Sequence, residues 1–344
     1  MKDIKKIKIG VFGSTGLVGQ KIISVLHQFG VPACNVIAFT SGMSKKTSIS
    51  YGESDVLNLL HVDKRNDTSL DVAFLAVENS ISQNLAVELG QKGVVVIDKS
   101  SYFRMDVEVP LVVPGVNDEV LLNGLAKNII ANPNCSTIQL VSVLKPLSDL
   151  YKIKRVIIST YQSVSGAGKA AMDILDNQTK SVLVHQGIAD NGVFQKPIAF
   201  NVIPQIDDII ETGESKEELK MMRETLRILS SDFEISASCA RVPVFVGHSM
   251  YVHVEFDEDP QISIIKKEIS KHKDLVLSKQ LDEYVTPIEV TNEDEVYISR
   301  LYKDPRIKNS IKFWCAADNL LKGAALNGVM VADVICKKYS SLLK

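Results

Sequence analysis

The side chain best placed for covalent chemistry in this chain is Cys135. Asn132-Pro133-Asn134-Cys135-Ser136 follows the apolar run Ile129-Ile130-Ala131 and precedes the helix-like run Thr137–Leu144. At a loop-to-helix junction a thiol meets unpaired backbone N–H groups and the positive end of the helix dipole, and both favour the nucleophilic thiolate. Most free cysteines are instead buried and inert. Cys34, Cys239, Cys315 and Cys336, with apolar or small neighbours, fit that description. On local grounds alone, a catalytic and a structural Cys135 stand level.

Other residues could serve such a nucleophile. Arg241-Val242-Pro243-Val244-Phe245-Val246-Gly247-His248 places a guanidinium and an imidazole at the two ends of what reads as a short strand. Arg241 can grip a carboxylate through two parallel N–H bonds, and His248 suits general acid/base work. Tyr161–Lys169 reads as a strand ending in a small-residue loop, with Ser165 and Gly166 either admitting a ligand or merely connecting elements. The Gln162 amide can orient a carbonyl or carboxylate. Arg104 follows the strand Val94–Ile97, on the side where parallel sheets bind ligands. Glu217 and Lys220 share a helix face, where a surface ion pair is the better explanation on the residues alone. His27, His61, His185, His253 and His272 carry no functional argument.

These residues need a scaffold, and the sequence supplies one. Ile7–Phe12 reads as a strand. It runs straight into Gly10-Val11-Phe12-Gly13-Ser14-Thr15-Gly16-Leu17-Val18-Gly19 and a helix over 19–29. Small residues in a strand–turn–helix let the backbone approach a pyrophosphate at the helix N-terminus. A second strand, Val36–Phe39, ends at Thr40-Ser41-Gly42-Met43-Ser44-Lys45-Lys46. It lacks the carboxylate that usually holds an NAD ribose, which favours NADP. Strands over 71–77 and 94–97 flank a helix over 81–89, so the first third is a doubly wound α/β unit.

Beyond Cys135, strands over 155–162, 242–246 and 250–256 suggest a mixed or antiparallel sheet. Helices are expected over 169–179 and 216–229, and a surface helix within 257–273. A C-terminal helix over 319–344 is expected to return to the first domain. The fold class is therefore α/β: an N-terminal Rossmann-like dinucleotide-binding domain (1–131 plus 319–344) and an α+β catalytic and dimerisation domain (132–318).

Composition narrows the function classes. With 39 basic and 41 acidic residues and no long basic run, nucleic acid is not an expected partner. No apolar run is long enough to cross a bilayer. The five scattered cysteines form no metal-ligand spacing, so no metal is expected. Their odd number, without a signal peptide, is expected of a reducing cytoplasm.

The glycine turn, Asn-Pro-Asn-Cys-Ser, Tyr-Gln-Ser-Val-Ser-Gly-Ala-Gly, Glu-Glu-Leu-Lys-Met and Arg-Val-Pro-Val with Gly-His-Ser occur in this order. Ser-Tyr-Phe-Arg-Met-Asp, Val-Pro-Leu-Val-Val-Pro-Gly-Val-Asn and Ala-Asp-Asn-Leu-Leu-Lys-Gly-Ala-Ala extend the pattern. Together they resemble aspartate-β-semialdehyde dehydrogenase over essentially the whole chain. The resemblance implies NADPH-dependent reductive dephosphorylation of L-aspartyl-4-phosphate to L-aspartate-4-semialdehyde and inorganic phosphate. That step leads toward lysine (through diaminopimelate), methionine and threonine.

Carried over by position, Cys135 is the nucleophile and His248 the acid/base. Gln162, Arg241 and Glu217 bind substrate, while Arg104, Asn134 and Lys220 hold phosphate. Gly10, Gly13, Ser14, Thr15, Gly16, Leu17, Val18, Ser41, Met43, Ser44, Ser165, Gly166 and Asn319 contact the cofactor. A homodimer or dimer of dimers, with the second domain's sheet at the interface, is implied as well.

Two positions depart from the family pattern. Met43 stands where an arginine commonly meets the 2′-phosphate, leaving Lys45 or Lys46 as substitutes. Gly115 replaces a common glutamate. The rival readings are N-acetyl-γ-glutamyl-phosphate reductase, a cysteine hydrolase that leaves the glycine turn unexplained, and an inactive relative kept as a scaffold.

Overall fold

A computed structural model of the chain describes residues 2–41, 46–188 and 190–343. It separates into two compact units, 1–133 with 324–344, and 134–323. The return to the first unit thus comes at Ala324, five residues after the boundary read from sequence, and Asn319 belongs with the second unit.

In the first unit, β1 (Ile9–Phe12), α1 (Leu17–Gln28), β2 (Val36–Thr40), β3 (Ser48–Tyr51), β4 (Asp55–His61), β5 (Val72–Leu75), α2 (Asn79–Gln91), β6 (Val95–Asp98) and β7 (Ile129–Ala131) follow in order. They build one seven-stranded sheet in the order β3-β4-β2-β1-β5-β6-β7. All neighbours run parallel except β3 and β4, which pair antiparallel. Every residue of β1, β5 and β6 is buried, as expected of strands covered on both faces. The Phe12 and Phe39 rings stack with centroids 4.3 Å apart, fastening β1 to β2.

The second unit opens with α3 (Cys135–Leu150), then β8 (Ile153–Gln162), α4 (Lys169–Leu183), α5 (Lys216–Leu229), β9 (Glu234–Arg241), β10 (His248–Phe256), α6 (Ile262–Ile269), β11 (Leu275–Leu277), β12 (Val296–Lys303) and β13 (Ser310–Ala317). Six strands form a mixed sheet, β11-β12-β13-β10-β8-β9. β8 pairs β9 and β11 pairs β12 in parallel; the remaining pairs are antiparallel. Leu140, Val143, Leu144 and Leu147 of α3 join Val156, Ile158, Val252, Val254 and Phe313 in the core. The alternate residues Ile157 and Tyr161 remain exposed. Tyr161 and Tyr251 pack against Trp314 on that open face.

Val242–Val246 is not a strand, although its apolar run suggests one. Arg241 ends β9, His248 begins β10, and the intervening segment bends back before Gly247, whose φ is +96°. A Cβ at Gly247 would lie 2.6 Å from the Pro287 carbonyl oxygen, so both the turn and the packing require glycine. The C-terminal segment is not one helix either. It has a π-helical turn over Leu321–Leu326, then α7 (Asn327–Lys338) and a 3₁₀ turn. Among the described residues no helix is long and apolar enough to cross a membrane.

Candidate active site

The glycine turn of the first unit is shaped by close contacts. Gly13 has φ +76°, and a Cβ there would lie 2.3 Å from the Ala76 carbonyl oxygen. A Cβ on Gly19 would lie 2.2 Å from the Gly13 carbonyl oxygen, so the first turn of α1 packs directly on the loop. Ser14 is buried and donates its hydroxyl to the Phe39 carbonyl at 2.8 Å, tying the turn to β2. Gly16 caps α1 without a side-chain hydrogen bond. Where no side chain caps a helix, its first N–H groups are available to an anion, as a dinucleotide pyrophosphate requires. The turn therefore fits the cofactor expected of it.

Gly10 lies within β1, under the Leu70 side chain. Thr15 accepts a hydrogen bond from Gln20 at its carbonyl. Leu17 and Val18 form the first turn of α1. Ser41 is exposed just after β2. Met43, Ser44 and Lys45 lie outside the described residues, and Lys46 is exposed.

In the second unit Cys135 is the first residue of α3, and Asn134 is its N-cap. The Asn134 Oδ1 accepts from the Ser136 N–H at 2.9 Å and the Thr137 N–H at 3.4 Å. Its own N–H donates to Glu224 at 2.6 Å, and its amide Nδ2 donates to Glu217 at 2.9 Å. Two buried carboxylates on α5 thus fix the residue before the cysteine. Above it, Gly323 packs so closely that a Cβ would lie 2.7 Å from Cys135 Cβ and 3.0 Å from its Cα.

Cys135 is partly exposed. Burial pushes the Cys239 and Cys315 thiols up to about 12 and Cys336 to about 11, leaving them unreactive at neutral pH. Cys34 departs from the buried expectation: it is exposed, in a 3₁₀ turn after Pro32.

Glu217 gathers three of the residues singled out from sequence. Its carboxylate accepts from Asn134, from the Gln162 amide at 3.2 Å, and faces Lys220 Nζ at 3.4 Å. It is buried, so the pairing is no exposed surface bridge. Lys220 also meets Asp207 at 2.7 Å. Burial pushes the Asp207 carboxyl up, but the hydrogen bond and charge of Lys220 outweigh it and hold the group below its ordinary value.

Gln162 and Arg241 are register partners at the ends of β8 and β9. Arg241 is buried and donates from Nη1 to the Ser163 carbonyl at 2.8 Å. Burial lowers its pKa, opposed by the charges of Glu217 and Cys135.

His248 is fully buried. Its Nδ1 lies 3.1 Å from both the N–H and the hydroxyl of Ser163, while Nε2 has no protein partner. Gly166 lies beside the Arg241 and His248 side-chain nitrogens: a Cβ there would be 2.9 Å from Arg241 Nη1 and 3.1 Å from His248 Nε2. The bare backbone of Gly166 keeps that space open. Asn319 Oδ1 accepts from the Gly247 N–H at 2.9 Å and faces the Ser163 and Ser165 hydroxyls as acceptor at 3.2 and 3.1 Å, while its Nδ2 donates to Ser165 at 2.9 Å.

Arg104 belongs to the first unit. It is buried and donates to the Ser100 and Lys99 carbonyls at 3.1 and 3.0 Å. Ser100 is itself held by the buried Asp98 carboxylate.

Comparison with known proteins decides what this arrangement belongs to. Residues 8–123 match the NAD-binding domain of semialdehyde dehydrogenase, and residues 144–322 match its dimerisation domain. The aspartate-semialdehyde dehydrogenases of Rickettsia bellii and Rickettsia conorii are 40% and 42% identical to this chain. Those matches span 337 and 338 residues, 97% of this chain and 99% of each relative. The chain belongs to the aspartate-semialdehyde dehydrogenase family.

Crystal structures of aspartate-semialdehyde dehydrogenase II from Vibrio cholerae, one complexed with ASA, agree with it. Their TM-score is 0.93 at 35% identity, covering 97% of this chain and 99% of theirs. The chain is thus an oxidoreductase of this family, and the hydrolase and acylglutamyl-phosphate reductase readings fall away. Within the family pattern, Gly115 occupies a turn with φ +80°, with nothing within 4 Å of a Cβ placed there. Its backbone conformation suits glycine better than glutamate.

Sequence reasoning missed Ser163, Glu224, Asp207 and Gly323. Glu224 had a signal: it lies four residues after Lys220 and seven after Glu217, on the same helical face. Ser163 and Gly323 stand within the family motifs, but nothing local shows their partners, which are distant in sequence.

Proposed function

We propose that the chain interconverts L-aspartyl-4-phosphate and L-aspartate-4-semialdehyde with NADP(H) through a Cys135 thioester. The observation that carries this reading is Cys135 at the first position of α3, capped by Asn134 and clustered with Gln162, Glu217 and Arg241. The thiolate attacks the acyl carbon, the carbon–oxygen bond to phosphate breaks, and inorganic phosphate departs. Arg104, Lys220 and the second amide hydrogen of Asn134 are the donors assigned to that leaving group. Arg241 grips the substrate α-carboxylate, Gln162 orients it, and Glu217 faces its amine. Bound NADPH supplies a hydride to the acyl carbon when the thioester has formed. The carbon–sulfur bond then breaks, releasing aldehyde and restoring the thiolate, with His248 serving the reacting oxygen.

NADP is assigned because no carboxylate closes the loop after β2, and Lys46 supplies a cation near its end. The exposed aromatic face of β8, β10 and β13 supports a homodimer or dimer of dimers built through that sheet. The step belongs to lysine, methionine and threonine biosynthesis in the cytoplasm. Phosphate-dependent oxidation of aspartate semialdehyde, followed with NADP and then NAD, is the direct test. Absence of turnover with both cofactors refutes the proposal, and preference for NAD refutes the cofactor assignment alone.

A further inference from the structure

We infer that Ser163 is a positioning residue that holds His248 as the neutral tautomer protonated on Nε2. His248 then serves the reacting oxygen as a hydrogen-bond donor and does not pass through imidazolium. The identity of that oxygen rests on the proposed function; the tautomer does not.

The argument starts from groups whose polarity is fixed. A backbone N–H can only donate, so the Ser163 N–H, 3.1 Å from Nδ1, requires a lone pair on that nitrogen. The neutral ring must then carry its proton on Nε2. A second fixed donor sets the surrounding network. The Gly247 N–H, 2.9 Å from Asn319 Oδ1, orients that amide, leaving Nδ2 to donate to Ser165 Oγ at 2.9 Å. The Ser165 and Ser163 hydroxyls, 3.0 Å apart, can each donate to Asn319 Oδ1 at 3.1 and 3.2 Å, and the Ser163 hydroxyl also lies 3.1 Å from Nδ1, where it can donate instead. The Ser163 backbone N–H is thus the partner of Nδ1 whose direction is fixed. Protonating Nδ1 would set its hydrogen against that backbone N–H.

The other end of the ring carries the function. Nε2 is fully buried and has no protein partner, a costly state for a donor unless a ligand completes it. Arg241, at the end of β9, is the charged group that acts on the ring, while Cys135 and Glu217 act on Arg241 in turn. Burial first, and then the Arg241 charge, hold the imidazole well below its ordinary pKa; the Gly247 carbonyl opposes them more weakly.

The chemistry balances without a proton on the ring. Hydride addition to the thioester carbon leaves negative charge on its oxygen, which Nε2–H stabilises. The carbon–oxygen double bond then re-forms as the carbon–sulfur pair leaves with Cys135 as thiolate. A neutral imidazole donating to an oxyanion is a known catalytic device.

The full chain with ¹⁵N-labelled histidine tests this directly. Ring nitrogen shifts should show pyridine-like Nδ1 and pyrrole-like Nε2 for His248, assigned by its loss in His248→Gln, without titration from about pH 6 to about pH 8. Titration in that window, or a proton on Nδ1, overturns the inference. Ser163 has φ −67° and ψ 155°, so Ser163→Pro fits the backbone and removes the N–H and hydroxyl together. Its His248 signals should shift toward mixed tautomers; unchanged signals remove Ser163 from the account.

In turnover, His248→Ala should lower kcat by about 10²–10³-fold, the loss typical of one oxyanion donor. His248→Gln, which can donate but not ionise, should recover about tenfold or more of it. Equal losses in the two variants refute the donor role. An inactive wild type would refute the proposed function while leaving the tautomer standing.

Discussion

Gly323→Ala offers a measure of how tightly the nucleophile is held. The added Cβ would sit 2.7 Å from Cys135 Cβ, roughly 0.8 Å inside the ~3.5 Å at which carbon atoms attract. Neither neighbour can yield by rotating a flexible side chain, because the contacts are with the Cβ, the Cα and, at 3.2 Å, the carbonyl oxygen of Cys135. The start of α3 must therefore shift against the Asn134 cap or the π-helical turn must move away. Overpacking of this kind costs about 1–3 kcal/mol of stability. A nucleophile displaced by about 1 Å loses about 10²-fold in rate, so a shift of this size should lower kcat by about 10–100-fold.

The assay is steady-state oxidation of aspartate semialdehyde, with Tm measured in parallel. The rate of Cys135 alkylation by a small electrophile separates displacement from loss of the thiolate. A kcat within about twofold of wild type, with Tm unchanged, would refute the reasoning about this contact.

Cys135→Ala should abolish product formation while leaving NADPH affinity nearly intact by fluorescence titration; retained turnover ends the thioester scheme. Arg241→Ala should mainly raise KM, with kcat/KM falling by about 30-fold or more, since truncating one member of a buried charged contact costs about 2–5 kcal/mol. Unchanged kinetics would dismiss its grip on the carboxylate. Glu224→Ala leaves the buried Asn134 N–H without this acceptor, so stability should fall by about 1–3 kcal/mol in urea unfolding. An unchanged midpoint would show that the bond contributes nothing.

Asp118 pairs with Lys338 at 2.9 Å. Burial pushes its carboxyl up, but the Lys338 hydrogen bond and the Gly115 N–H outweigh it and lower the pKa. The folded value lies below the unfolded one of about 3.9, so this stabilisation is present above about pH 3.9 and is lost as pH falls through the folded value. Asp118→Asn should flatten the acid limb of a Tm–pH curve; an unaltered limb refutes the linkage.

The legible parts of this molecule were those encoded by neighbours in sequence. Asn134 and Cys135 were readable because a capping residue, a turn and an apolar helix follow in immediate succession. The glycine turn was readable because strand, small residues and helix abut. Val242–Val246 misled because its β-branched and aromatic residues have strand propensity, whereas Pro243 and Gly247 break the ladder. β3 has little apolar pattern because it is a short, largely exposed edge strand, and β4 is hard to read because its apolar residues Val56, Leu57, Leu59 and Leu60 do not alternate. Ser163 was invisible as a partner of His248 because 85 residues separate them, and only the pairing of β8 with β10 brings them together.

That sheet has one more consequence, for what can vary. Gln162 and Arg241 are paired residues on adjacent parallel strands, so their separation is set by the interstrand distance of about 4.8 Å. It works as a ruler for the ligand, indifferent to the loops around it. Insertions between β8 and β9 can lengthen freely without changing the gap. A slip of one residue would turn Arg241 to the opposite face, and a slip of two would carry it about 7 Å along the strand. Ligand length can therefore be retuned by side-chain exchange at these two positions, but not by small adjustments of the backbone.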